Sequence, residues 1–192
     1  MSLLRAFIAI EIPPEIKKAI ATQTASLQKD AGRAVRWVSA ENIHLTLKFL
    51  GEISPANVEI LSQALQAECS QQAPFEITVS GLGCFPNSRR PRVIWIGLAV
   101  PPELSRLQSK IETNLARLGY EAEDKSFSPH LTVGRVREQV SAEELRTLQS
   151  TLTTQNIGSL GTFHAQAVYL FKSDLQNTGP VYTHLFKAQL GQ

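Results

Sequence analysis

The chain has 192 residues, 43% of them hydrophobic and 19% charged, with a formal net charge of +2. A chain of this size buries enough apolar surface to fold without disulfides or a structural metal, and its composition excludes disordered and fibrous classes. The charge is too mild to argue for nucleic acid by itself, and no apolar run approaches the ~20 residues of a membrane span.

Residues 3–12 are apolar and β-prone and are expected to form the first strand. Arg5 interrupts the opening apolar run (1–10) and no small-residue cleavage signal follows it, so it reads as a buried strand rather than a signal peptide. Pro13-Pro14 ends it and opens a helix, because proline is tolerated in the first turn. Ile16, Ile20, Thr24 and Leu27 recur at helical spacing up to Gly32. A short strand over 35–38 is followed by a strand over 43–50, which Gly51 is expected to close. Ser54-Pro55 reads as an N-cap with proline after it, and Val58, Leu61, Leu65 and Cys69 give that helix an apolar stripe. Strands are expected over 75–82 and 93–100.

Pro101-Pro102 echoes Pro13-Pro14 and opens a helix with Leu104, Leu107, Ile111, Leu115 and Leu118 on one face, ended by Gly119. A strand over 130–136 follows Ser128-Pro129. Ser141-x-x-Glu144 fits a capping box for a helix to about 151. Strands over 162–171 and 181–190, separated by a Gly-Pro turn, complete the chain. The order of elements is a mixed α+β pattern with a partial echo in its second half and no low-complexity linker, so one domain over 1–192 is expected.

Cys69 and Cys84 are the two cysteines, and no C-x-x-C pair exists, which removes zinc-finger and thioredoxin readings. Free thiols in a reducing cytoplasm are expected. The chemistry-bearing pattern is a repeat. His44-Leu45-Thr46-Leu47 recurs as His130-Leu131-Thr132-Val133, separated by nearly half the chain. Alternation puts His44 with Thr46, and His130 with Thr132, on one face of each strand. Two imidazoles and two hydroxyls facing one cleft could run acid–base chemistry on a phosphate: histidine titrates near neutrality, and fixed hydroxyl donors stabilise charge on phosphoryl oxygens. Neither motif has a nearby carboxylate or thiolate, so the pair is a poor metal-ligand set.

Arg5 to Ile10, Arg36-Trp37-Val38, the run from Asn42 to Gly51, the run from Phe127 to Arg135, and the tail Val168 to Ser173 with Gly179 to Tyr182 together resemble the two-histidine phosphoesterases, nearest to the RNA 2′,3′-cyclic phosphodiesterases, also called 2′-5′ RNA ligases. The resemblance spans essentially the whole chain. It implies a bilobal α+β fold, with two pseudo-symmetric lobes of antiparallel sheet, outer helices and a central cleft. It also implies hydrolysis of RNA 2′,3′-cyclic phosphate ends to a 2′-phosphate, with 2′-5′ ligation as a related activity. His44 would be the proton donor and His130 the proton acceptor, although the near-symmetric motifs leave these roles open from sequence. Thr46, Thr132 and Arg135 would bind the phosphate, with no metal and no cofactor.

Arg135 lies three residues past Thr132, so a regular strand would turn it to the opposite face; reaching the phosphate needs a bulge. The expected partner is single-stranded or tRNA-derived RNA with a cyclic end, met by a cytoplasmic monomer with no membrane association. Alternatives are a small cyclic nucleotide or an ADP-ribose cyclic phosphate as substrate, or a non-catalytic RNA-end-binding module. Arg89, Arg90 and Arg92 form a dense basic cluster that is either a solvated loop or a phosphate track. Phe7 and Trp37 read as core residues, and His164 and His184 as surface or structural residues.

Overall fold

The computed structural model describes residues 2–177 and 179–192; Met1, the start of the opening apolar run, lies outside the described residues. In chain order the elements are β1 (Leu4–Glu11), α1 (Pro14–Ala31), β2 (Val35–Trp37), β3 (His44–Ile53), α2 (Val58–Ser70), β4 (Phe75–Phe85), β5 (Val93–Ala99), α3 (Pro102–Arg117), β6 (His130–Val136), α4 (Ala142–Thr154), β7 (Ser159–Ala165), β8 (Ala167–Gln176) and β9 (Gly179–Gln189). Local chemistry sets most helix starts. Pro14 and Pro102 open α1 and α3, where their missing N–H groups cost nothing. The capping box of α4 is complete: Glu144 N–H donates to Ser141 Oγ at 3.2 Å, and Ser141 N–H donates to Glu144 Oε2 at 2.8 Å. The buried stripe of α1 is Ile16, Ile20, Thr24, Leu27 and Ala31.

All strand pairs are antiparallel and form two sheets, ordered β3-β1-β8-β9 and β2-β6-β5-β4-β7. Helices α2 and α3 back the first sheet, α1 and α4 the second. The apolar core runs continuously between both sets, from Ile8, Leu45 and Leu170 to Ile96, Leu131 and Phe163. Each lobe draws on both halves of the chain. The β1–β3 pair from the first half receives β8 from the second, and the β5–β6 pair from the second half receives β4 from the first. The helices exchange too: α1 packs on α4 and β7, while α3 packs on α2 and β3.

Five expectations change. The strand over 43–50 continues to Ile53, because Gly51 adopts φ +68° inside a bulge and carries the strand on instead of closing it. Ser54 caps a 3-10 turn (Pro55–Asn57) through its Oγ and Ala56 N–H, and α2 begins after that turn. The single strand over 162–171 is two strands: the chain leaves the second sheet at Ala165 and joins the first at Ala167. Gly179 and Pro180 are not the turn but the first residues of β9, opposite Gln176 and Leu175. Leu118 lies past the end of α3 and is 36% exposed, off the buried stripe.

Candidate active site

The face of each sheet turned away from its helices carries the motif residues. On β3, Leu45 is buried on the helix side while His44 and Thr46 are half-buried on the other. On β6, Leu131 is buried and His130 and Thr132 are half-buried. Strands β3 and β6 pack against one another at the junction of the two sheets, so the motifs adjoin. Each motif contains a bulge at the same place. In β3 the register passes from Thr46 opposite Ala9 to Lys48 opposite Ile8, so Leu47 is the extra residue. In β6 it passes from Thr132 opposite Trp95 to Gly134 opposite Ile94, so Val133 is extra. A bulge shifts the side-chain alternation by one. Arg135, opposite Val93, therefore shares the face of His130 and Thr132. Phe49, opposite Phe7, likewise shares the face of His44 and Thr46.

The two rings are held in the same way. His44 Nδ1 donates to the carbonyl of Asn42 at 2.7 Å, and His130 Nδ1 donates to the carbonyl of Ser128 at 2.7 Å. A carbonyl only accepts, so Nδ1 carries the proton and Nε2 is the reactive atom of both rings. Aromatic edges and faces fix the ring planes. Phe7 lies 4.7 Å from His44, Tyr182 meets it edge-on at 5.2 Å, and Phe85 meets His130 edge-on at 4.9 Å.

Burial lowers the His44 pKa to about 4; the Asn42 carbonyl pulls the other way, and nearby Lys17 adds to the lowering. In the free protein His44 is thus neutral near pH 7. Tyr182 is pushed up by burial, against the pull of Arg135 and Arg5.

The structure thus sets His44, Thr46, His130, Thr132 and Arg135 on the helix-free faces of two adjoining strands. Phe7, expected in the core, is 4% exposed but belongs to a small separate cluster with Ala9 and Phe171 on the cleft face, beneath His44. Trp37 packs on Gly134, where a Cβ would stand 3.1 Å from its ring. His184 pairs with Glu11 at 2.9 Å and stacks on Tyr169, and His164 lies 3.8 Å from Glu76, both outside the motif pair. Arg89, Arg90 and Arg92 are exposed in the β4–β5 loop, and Gln149 of α4 donates to the Arg89 carbonyl, which docks that loop on the helix side.

Sequence reasoning missed Tyr182, exposed Phe49 and the carbonyls of Asn42 and Ser128. Asn42 and Ser128 each sit two places before a motif histidine, but they differ in type and act through backbone carbonyls that any residue carries, so the sequence carries no signal for them; Tyr182, 138 positions from His44, gave none as a ring neighbour either. Both cysteines are free thiols, and burial pushes Cys69 up to about 12. Among the described residues no three His, Cys, Asp or Glu side chains group as metal ligands, and no helix is long and apolar enough to cross a membrane.

Comparison with known proteins returns one family twice. The family model described as LigT like Phosphoesterase matches residues 10–95 and again 96–182, the same duplication that the motifs mark. An RNA 2′,3′-cyclic phosphodiesterase of Methanothermobacter thermautotrophicus is 32% identical, covering 95% of this chain and 96% of its own. One of the same name from Methanocaldococcus jannaschii is 35% identical over 93% and 96%. The crystal structure of Escherichia coli LigT in apo form superposes with a TM-score of 0.80 at 27% identity, covering all of both chains.

Proposed function

Because the chain belongs to the LigT like phosphoesterase family, we propose that it hydrolyses 2′,3′-cyclic phosphate ends of RNA to a 2′-phosphate. The observation that carries this reading is the matched pair of Nδ1–carbonyl bonds, which leaves a reactive Nε2 on each of two adjoining strands. Water attacks phosphorus and passes a proton to Nε2 of His130. The P–O3′ bond breaks, and Nε2–H of His44 gives its proton to the departing O3′. Hydrolysis consumes one water, and the two histidines end with their protons exchanged. Thr46 and Thr132 donate to the non-bridging oxygens, where charge accumulates, and Arg135 adds a cation.

The low pKa of His44 shapes this scheme. The ring must take up a proton to act as donor, and the negative phosphodiester supplies the charge that favours the uptake. With the 5′-hydroxyl of a second strand in place of water, the same two proton transfers form a 2′-5′ bond. No step uses a metal or a cofactor. Phe49, 60% exposed on the cleft face, offers a ring to an unstacked base, which favours a single-stranded or tRNA-derived end. We place the enzyme in the cytoplasm as a monomer, with the whole chain acting as one domain.

The test is incubation with EDTA and a short RNA ending in a 2′,3′-cyclic phosphate, followed by identification of the end. A 2′-phosphate is expected, and it should be lost in His44→Ala and His130→Ala proteins that keep wild-type circular dichroism. An unchanged end with the wild type would leave cyclic mononucleotides, ADP-ribose cyclic phosphate or simple end-binding as the function. A 3′-phosphate would reverse which oxygen leaves.

A further inference from the structure

Strand β2 is three residues long, yet it forms the edge of the second sheet beside β6, with Arg36 directly opposite Arg135. Residues directly opposite in an antiparallel pair have Cβ atoms about 5 Å apart, and like charges there repel. Both arginines are exposed. Among the described residues neither has a carboxylate within ion-pair distance; the pairs formed are Lys48–Glu112, Arg106–Glu103, His164–Glu76, Lys172–Asp174 and His184–Glu11. The two line one pocket with Val136, Arg137, Glu138 and Gln139. One carboxylate therefore faces three guanidinium groups, and the pocket is cationic.

The pairing is built rather than incidental. Val38 N–H donates to the carbonyl of Val133, the bulge residue, at 2.9 Å, which locks β2 to the register that the bulge creates. Gly134 permits the approach, since a Cβ there would stand 2.6 Å from Val35 Cγ1. The bulge puts Arg135 on the His130 face, and direct opposition puts Arg36 on that face as well. Arg135 follows His130 and Thr132 along β6. Arg36 is one strand further from the histidines, about 4.8 Å outward. The two cations thus lie side by side across β6 and β2, on the face that carries His130 and Thr132.

We propose that Arg36 and Arg135 form a second phosphate subsite that holds the phosphodiester on the 5′ side of the terminal nucleotide. This rests on the cyclic-phosphodiesterase reading and deepens it, because it makes the substrate a strand rather than a cyclic mononucleotide. A nucleoside 2′,3′-cyclic phosphate has no phosphate at this place; an oligonucleotide has one. Guanidinium groups suit it because they donate in a planar fork to phosphate oxygens and carry no sequence preference.

The experiment compares wild type, Arg36→Gln and Arg36→Lys on a cyclic-ended trinucleotide and on the nucleoside 2′,3′-cyclic phosphate. In parallel it measures binding of the trinucleotide ending in a 2′-phosphate against salt. Arg36→Gln should lose kcat/KM on the trinucleotide by about tenfold more than on the mononucleotide. Its binding should show a salt slope shallower by about 0.7 than wild type, and Arg36→Lys should recover part of both. Equal losses on the two substrates, or an unchanged salt slope, would overturn the subsite. A wild type that turns over neither substrate would refute the enzymatic reading instead, and the binding arm would still decide whether Arg36 holds a phosphate. Removing one of two facing like charges should leave the melting temperature level or raised; a fall of several degrees would assign Arg36 to the fold and overturn the proposal.

Discussion

The site turns on how single residues are held. His44 and His130 differ little in sequence but greatly in surroundings: Phe7, Tyr182 and Phe171 crowd the first ring, whereas among the described residues Phe85 is the aromatic ring that meets the second. That crowding is why His44 is lowered from 6.5 to about 4. Between these values the unfolded chain binds a proton that the folded protein does not. Stability is therefore full above pH 6.5 and falls as pH drops toward 4, by at most about 3 kcal/mol. Urea unfolding at pH 7.5 and pH 4.5 should show a larger loss for wild type than for His44→Gln, which lacks the titrating ring. Equal losses would mean that His44 keeps an ordinary pKa. About a quarter of the rings would then already be protonated at pH 7.

At the scale of elements, the first motif strand is tied to the helix layer by a charge. Lys48 follows the Leu47 bulge and is 1% exposed. Its Nζ donates to Glu112 of α3 and to the Glu121 carbonyl at 2.7 Å, in the segment that leads to His130. This joins β3 to the approach of the second motif. An ammonium in that position is stable only with its counter-charge, since desolvation costs several kcal/mol. Glu112→Gln should destabilise the protein by about 3–5 kcal/mol, whereas Lys48→Met combined with Glu112→Leu should recover more than half of that in urea unfolding. A double variant as unstable as the single would show that the pair acts through shape rather than charge.

For the whole molecule, the exchange of strands and helices makes the two halves interdependent. Strand β4, from the first half, pairs only with β5 and β7 of the second; β1 pairs with β8 across the same divide. A fragment of residues 1–91 would carry β4 as an unpaired strand and α1 without α4. Neither it nor 92–192 should show a cooperative thermal transition, while the intact chain should show a single one. Cooperative unfolding of either half would mean that its native pairs suffice without the exchange.

Much of this protein was written locally. The two His-x-Thr faces follow from the period of a strand, the stripe of α1 from the period of a helix, and the start of α4 from Ser141 and Glu144; each depends on residues within one or two turns. The sequence alone also carried the duplication and the family likeness, because those are patterns of identity rather than of contact. What tertiary structure decided is everything set by a distant partner. A strand does not encode which neighbour it will pair with, so the run over 162–171 hid a passage between sheets at Gln166. The bulges at Leu47 and Val133 exist only against β1 and β5; the first turns Phe49, and the second Arg135, to the face of its motif histidine. Arg36 faces Arg135, and Tyr182 meets His44, through pairings that bring together residues about a hundred positions or more apart. Hydrogen-bond registers and side-chain packing are non-local, and they supplied the part of the site that the motifs could not.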